Sequence, residues 1–537
     1  MFALMMLGAA LHSVASNAPL RPARVAAPWL TPDGPAGAAQ VALEPLPPGA
    51  RIELVFRRVR ESVAMAFATD GRWFYTERTT GWVRSLSGSI PFPIFHVPAI
   101  ASGVDERGLL GITLDPNFAS NGYAYVYYTS TEDAAATGKY DNRVVRFMLQ
   151  GGAGISPTVM LKVPLDSNQS VIHNGGNLRF GPDGKLYVSI GDYFNDANGQ
   201  NLSKMPAKIH RFDPTVPLSA PSDNPFFADP NVAVKSVYAY GFRNPYDFDF
   251  DPVSGVLFAG ENGVACDDEV NRVLPGYNYG WRAGYEPCDD FSPDGPDPAY
   301  NTIPPLIAWP YSAVPTGVTF YRGDLFPEWK NDLFVCHWKT GELHHFKLNG
   351  ARTAIAAHTV VEGVVCHVDI ETGNAGALYF FRNDDSDPNK EFRDIYRITR
   401  DATIYASTFT PSRLIPAAGD ALTYTMRLAH YGTLTTSFTI VSSLPPSTTL
   451  VDGSPQAVSG AIFWSGADVT WLGSILPNTT LTATYRVTVS NQIAAPTVLS
   501  NTMLIETDVA GSAQLLAVVI ANGQSVYLPT AFRSFAP

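Results

Sequence analysis

Gly181-Pro-Asp-Gly-Lys-Leu-Tyr-Val-Ser-Ile190 reads as a tight turn running into an apolar, aromatic-bearing strand. Pro and Gly set the turn, and the β-branched and aromatic residues behind it favour extended backbone. The same unit recurs as Thr69-Asp-Gly-Arg-Trp-Phe-Tyr-Thr76, Asn121-Gly-Tyr-Ala-Tyr-Val-Tyr-Tyr128 and Asp251-Pro-Val-Ser-Gly-Val-Leu-Phe-Ala259. It returns as Trp329-Lys-Asn-Asp-Leu-Phe-Val-Cys336 and Gly373-Asn-Ala-Gly-Ala-Leu-Tyr-Phe-Phe381. The six copies are spaced about 45 to 80 residues apart, with no amphipathic helices between them. Repeats of strand and turn at this period predict an all-β, six-bladed β-propeller over residues 52–400, one blade per copy. A large sandwich with recurring hairpins is the alternative.

Outside this region the composition changes. Residues 401–537 contain neither Lys nor Cys. Leu422-Thr-Tyr-Thr-Met-Arg-Leu428 and Leu481-Thr-Ala-Thr-Tyr-Arg-Val-Thr-Val489 alternate as half-buried strands do, which predicts a small β-sandwich over 401–537. At the other end, Met1-Phe-Ala-Leu-Met-Met-Leu-Gly-Ala-Ala-Leu11 and the small residues after it read as a secretory signal over 1–18, although without a basic leader. Residues 19–51, rich in Pro and Ala, read as an irregular linker.

The 537 residues carry a net charge of −12, which makes a nucleic-acid partner a poor expectation. No other stretch approaches the ~20 apolar residues of a membrane span. Cys266, Cys288, Cys336 and Cys366 contain no CxxC pair, which argues against a zinc site. In an exported protein Cys266–Cys288 and Cys336–Cys366 are plausible local disulfides, and the spacing leaves the pairing open.

Five segments carry candidate chemistry. They are Arg107-Gly-Leu-Leu-Gly111, His173-Asn-Gly-Gly-Asn177 leading through the deciding strand to Gly191-Asp192, and Tyr240-Gly-Phe-Arg-Asn-Pro245. Glu261-Asn-Gly-Val-Ala-Cys-Asp-Asp-Glu-Val-Asn271 and Gly276-Tyr-Asn-Tyr-Gly-Trp281 complete the set. In this order, over residues 55–400, they resemble the soluble quinoprotein sugar dehydrogenases of the glucose/sorbosone dehydrogenase family. The C-terminal region, in Gly419-Asp-Ala-Leu-Thr-Tyr-Thr425 and Leu444-Pro-Pro-Ser-Thr-Thr-Leu450, resembles the Ig-like modules of bacterial surface and exported proteins.

The first resemblance implies oxidation of an aldose or related sugar alcohol with pyrroloquinoline quinone (PQQ) and Ca²⁺. Such chemistry needs a base for the hydroxyl proton and an acceptor for hydride. A neutral imidazole backed by a carboxylate suits the first task. The resemblance places His173 as the base, Asp192 as its support and Arg243 as the electrostatic stabiliser. It places Glu106, Arg243, Asn244, Asn262 and Lys339 at the cofactor, and the carbonyls of Gly263 and Val264 on calcium. The acidic run Asp267-Asp268-Glu269 would support that loop or hold a second ion.

The sequence also departs from the family. A glutamine is replaced by Glu106, and the calcium loop carries Asn262 and Val264 in place of glutamine and proline. The two arginines that clamp the quinone's carboxylates match Cys366 and Val368, with His367 and Arg382 as nearby candidates to compensate. A trianionic quinone wants bidentate cations, so a second reading stands beside the first. In that reading a non-catalytic propeller binds a glycan or protein through a degenerate pocket.

Overall fold

The computed structural model describes residues 41–523 apart from short internal gaps at 48–49, 88–89, 104–105, 168–170, 265, 285–301, 374–375, 388–389, 401–406, 431–434, 477–478 and 508–510. The expected signal segment, most of the 19–51 segment and Cys288 lie outside the described residues.

Each turn-strand copy becomes the second strand of a four-stranded antiparallel blade. These strands are Trp73–Thr76, Tyr123–Ser130, Leu186–Ile190, Leu257–Glu261, Leu333–His337 and Leu378–Asn383, in blades I to VI. The turn before the third of them shows why the motif works. Gly181 N–H donates to the Lys185 carbonyl (2.9 Å), Gly184 N–H donates back to the Gly181 carbonyl (2.9 Å), and Gly184 takes a φ of 72° that favours glycine. All five residues of Leu186–Ile190 are buried, because a second strand has a blade on each face.

The blades' inner strands are Met65–Phe67, Leu109–Leu114, Leu178–Phe180, Pro245–Phe250, Pro315–Phe320 and Ile370–Thr372. The inner strands of blades I to IV and VI, with Arg322–Leu325 of blade V, line a cavity of about 870 Å³. Carboxylates stitch neighbouring inner strands together. Asp247 and Asp249 accept the backbone N–H of Val318 (2.6 Å) and Phe320 (2.8 Å), joining blade IV to blade V. Asp369 accepts Met65 N–H (2.6 Å), joining blade VI to blade I. Arg179 ties Glu371 (2.5 Å) and Asp249 (3.5 Å) together inside the cavity, and Arg322 adds a second guanidinium on Asp249. Burial raises the affinity of Asp247 and Asp369 for a proton.

Blade VI is completed from the other end of the chain. Ala50–Arg60 pairs antiparallel with Phe392–Arg400 and forms its outermost strand. The segment expected to be irregular therefore contributes structure. Besides the start of Ala50–Arg60, Ala42–Glu44 adds a fifth strand to the outer edge of blade V. The pairing partners are far away in sequence, and a Pro-rich context hides such short strands from any local reading. The expected disulfide Cys336–Cys366 is formed, with Cα atoms 5.2 Å apart, and Cys266 is also disulfide-bonded.

Glu44 anchors the added strand. Its carboxylate accepts His345 Nδ1–H (2.6 Å), the Thr359 hydroxyl (2.5 Å) and Trp329 Nε1–H (3.2 Å). Burial alone would raise its pKa, but the bonds from His345 and Thr359 prevail and lower it from 4.5 to about 2. The stability it contributes is therefore present above pH 4.5 and lost as the pH falls towards 2. Glu44→Gln is expected to lower Tm at neutral pH and to flatten its decline between pH 5 and 3. Parallel melting curves of the two proteins over that range would contradict this.

The C-terminal region forms a β-sandwich. One sheet holds Thr408–Pro411, Ala421–His430, Thr479–Val489 and Thr448–Leu450, with Gln456–Ala457 beside Thr479–Val489. The other holds Ala461–Ser465, Asp468–Ile475, Thr436–Ser443, Thr497–Thr507 and Gly511–Ala521. The alternation in Leu422–Leu428 appears as burial of Leu422, Tyr424, Met426 and Leu428, which share a core with Trp471 and Tyr485.

Candidate active site

The end of the propeller where the inner strands begin gathers the sequence-predicted residues from several blades. His173 precedes the inner strand of blade III, and Asp192 follows its second strand. Both are buried, and His173 Nδ1 lies 2.7 Å from Asp192 Oδ1. In the neutral ring, a carboxylate facing Nδ1 favours the tautomer with the proton on that nitrogen and the lone pair on Nε2. Asp192 is itself fixed: Trp281 Nε1–H donates to Oδ2 (2.9 Å) and Phe194 N–H to Oδ1 (2.7 Å).

The local backbone is strained at this point. His173, Tyr193 and Phe194 take φ values of 56°, 60° and 60°, in the left-handed region that large side chains avoid. Buried Asn142 holds the loop by donating to Asn174 Oδ1 and to the Tyr193 hydroxyl, both at 3.1 Å. One result is that Phe194 stands 70% exposed with its ring edge-on to His173 at 5.6 Å.

Glu106 crosses to the same place. Its Oε2 accepts His173 N–H (2.6 Å) and Asn244 Nδ2–H (3.3 Å). Asn244 Oδ1 in turn accepts Gly175 N–H (3.1 Å). The Arg243–Asn244 turn is held by Glu261, whose Oε1 accepts both backbone N–H groups (2.5 and 2.9 Å). Burial raises the pKa of Glu261 well above the carboxylate range, and its Oε2 has no partner among the described residues. Arg243 Nη1–H donates to the carbonyls of Asn262 (2.8 Å) and Gly263 (2.6 Å), and its guanidinium lies 5.7 Å from the Trp281 ring centre.

Asp268, from the acidic run, does not face solvent as a free ligand. Its two oxygens accept Gly263 N–H and Val314 N–H, each at 2.7 Å. Trp338 and Lys339 then donate their backbone N–H groups to Val314 and Ala313, so Lys339 joins the cluster through its main chain while its side chain is exposed. Val264 is also exposed.

Residues 59–391 match the family model for glucose/sorbosone dehydrogenase. The chain belongs to that family. Aldose sugar dehydrogenase YliI of Escherichia coli strain K12 is 26% identical over 361 residues, covering 64% of this chain and 93% of the relative. Quinoprotein glucose dehydrogenase B of Acinetobacter calcoaceticus is 29% identical over 262 residues, 44% of this chain and 53% of that one. Among solved structures, the PQQ-bound aldose sugar dehydrogenase of Streptomyces coelicolor superposes with a TM-score of 0.51 at 25% identity, covering 66% of this chain and 99% of its own.

Of the residues that the resemblance assigns to PQQ, the His173–Asp192 pair and Arg243 stand together at this end, whereas the two positions it assigns to the quinone's carboxylates hold no cation. Cys366 is bonded to Cys336, and Val368 is buried among Val59, Val63, Met65, Phe381 and Ile395. An arginine placed at either position would break the disulfide or carry a charge into a core. The suggested substitutes are also committed elsewhere. Burial lowers the pKa of His367 to about 4, so it is neutral at pH 7, and Arg382 is paired with Asp385. The buried cation of this region is Arg393, which donates to the Ser62 carbonyl (2.7 Å) and lies 5.4 Å from the Trp338 ring centre. For calcium, which prefers six to eight oxygens, the carbonyls of Asn262 and Gly263 are already taken by Arg243, and the buried oxygens without a partner among the described residues are Glu261 Oε2 and Asn262 Oδ1.

The sequence reading missed the parts played by Glu261, Trp281, Phe194 and Arg393. Glu261 and Trp281 stand in segments that had been singled out, so their motifs pointed at them. Phe194 and Arg393 carried no signal beyond their nearness to Asp192 and to the last blade.

Proposed function

We propose that this protein is a sugar dehydrogenase that oxidises an aldose or a related sugar alcohol, with His173 as the base that removes the hydroxyl proton. The observation that carries this reading is the buried His173–Asp192 pair, 2.7 Å apart, at the mouth of a family propeller. The names of the relatives, an aldose sugar dehydrogenase and a quinoprotein glucose dehydrogenase, support the substrate class. When bound, the quinone with Ca²⁺ supplies the two-electron acceptor.

The chain's own residues do the rest. His173 Nε2 takes the proton of the sugar hydroxyl, and Asp192 holds the ring and favours the imidazolium that forms. Trp281 keeps Asp192 from turning away. Arg243 places a fixed positive charge beside the reacting atoms. Exposed Phe194 offers a flat apolar face against which the C–H side of a sugar ring stacks. We place the protein outside the cytoplasm, a reading supported by its disulfides. No helix among the described residues is long and apolar enough to cross a membrane.

Purified protein loaded with PQQ and Ca²⁺ should reduce an artificial dye when given aldoses. Folded protein at saturating quinone that reduces no dye with any sugar tested would overturn the proposal. Glu106, Cys366 and Val368 favour a second reading, in which the same face binds a glycan without oxidising it. Sugar binding by calorimetry with no dye reduction would select that one.

A further inference from the structure

Behind the turn that presents Lys339 lies a group of histidines that the proposed chemistry does not use. Blade V forms a hairpin from Leu333–His337 and Leu343–Leu348, with Ile355–Val361 as the next strand. His337 ends the first strand, His344 sits near the start of the second, and Glu342 lies in the turn between them. His337 is completely buried, and neither of its ring nitrogens has a hydrogen-bond partner among the described residues. Its ring lies 3.9 Å from that of His344, centre to centre, with Trp309 edge-on at 4.5 Å.

His344, 1% exposed, is bonded through Nδ1 to His358 Nε2 at 2.7 Å. Its Nε2 faces Glu342 Oε2 across 3.4 Å, a long separation for a hydrogen bond. One donor atom each from His337, Glu342 and His344 lie within 4.8 Å of one another. Burying an imidazole with both nitrogens unsatisfied is costly, and buried polar atoms without partners are few in native proteins. A cation between the three donors would satisfy His337 and give His344 Nε2 and the carboxylate a common partner.

We propose that His337, Glu342 and His344 form a buried binding site for one divalent transition-metal ion, Zn²⁺ by the chemistry of its donors. Two imidazoles and a carboxylate are a zinc-type ligand set, whereas Ca²⁺ and Mg²⁺ take oxygens alone. His358, bonded to the opposite nitrogen of His344, fixes which nitrogen faces the ion. The site is structural. It closes the base of the Trp338–Gly341 turn, while Cys336, on the same strand, is tied to Cys366. The ion therefore rigidifies the loop that carries Lys339.

The test uses the untagged full chain, stripped with a chelator and titrated with Co²⁺, then Zn²⁺. One equivalent of Co²⁺ should give visible d–d absorption that Zn²⁺ bleaches, and Zn²⁺ should raise Tm. Glu342→Gln should lose the absorption at micromolar Co²⁺. His337→Phe fills the same volume without a ligand, and it should melt cooperatively with no response of Tm to Zn²⁺. His358→Gln keeps all three ligands and should weaken binding ~10- to 100-fold. No absorption at stoichiometric Co²⁺ would overturn the proposal. So would absorption and affinity unchanged in both Glu342→Gln and His337→Phe, which would put the ion elsewhere.

Discussion

His173→Ala is expected to slow sugar oxidation by ~10²- to 10⁴-fold, the usual cost of removing a general base. Quinone binding should persist, because the other polar groups at the site are untouched. His173 takes a φ of 56°, so part of any stability loss in the alanine variant reflects backbone strain. His173→Asn separates the two effects, since asparagine tolerates left-handed backbone yet offers no basic nitrogen. It should be as slow as the alanine variant and melt closer to the parent. Asp192→Asn should cost less than either, because the imidazole stays in place and loses only orientation and basicity. The Phe194 amide still donates to the remaining oxygen at position 192, whereas the bond from Trp281 is lost, because an amide nitrogen cannot accept it. Steady-state dye reduction under saturating quinone measures all three. Full activity in both the His173 and the Asp192 variants would mean the proton leaves by another route.

The second large effect is on the cofactor. If Cys366 and Val368 stand where the resemblance puts two clamping contacts to quinone carboxylates, both contacts are missing, each worth roughly 1.5 to 3 kcal/mol when charge-assisted. Their loss predicts a dissociation constant on the order of 10² to 10⁴ higher than at a fully equipped site. Arginine cannot be restored at those positions without breaking a disulfide or burying a charge, so the test moves to the opposing carboxylate. Glu106→Gln keeps an oxygen for the His173 amide and removes a negative charge from beside the ligand. It should tighten quinone binding by about tenfold or more, read by titration in the presence of Ca²⁺. A native dissociation constant in the nanomolar range would defeat this account. It would direct attention to Arg393, whose loss by Arg393→Met should then weaken binding sharply.

The propeller was legible because its signal is local and repeated. Each turn needs particular residues, such as Gly184, and each second strand needs an unbroken apolar run, such as Leu186–Ile190. The sandwich announced itself through alternation at Leu422–Leu428 for the same reason. What stayed hidden depends on partners distant in sequence. Ala42–Glu44 is a strand only because blade V offers it an edge, and Glu44 meets His345 across 301 positions. Asp247, Asp249 and Asp369 look like surface residues in the sequence, yet they are buried because backbone amides of the next blade face them. At the site, His173, Asp192 and Arg243 could be named from motifs. The commitment of Cys366 to a disulfide and of Val368 to a core explains in structural terms why no cation stands there.

The junction of Ala50–Arg60 with Phe392–Arg400 also has a kinetic meaning. Ala50 pairs with Arg400 and Arg60 with Phe392, so the ring cannot shut until almost the whole propeller has been synthesised. During that interval the edge of Phe392–Arg400 and the apolar residues of its intended partner stay uncovered, a hazard for association with other chains. Contacts of such long sequence separation also make folding slow. Conversely, once the clasp is made, no blade can detach without opening the circle, so peeling from one end is suppressed and unfolding is delayed. A protein that leaves the cytoplasm as an extended chain and folds on arrival would meet this hazard after export, and would then gain the persistence of a closed ring.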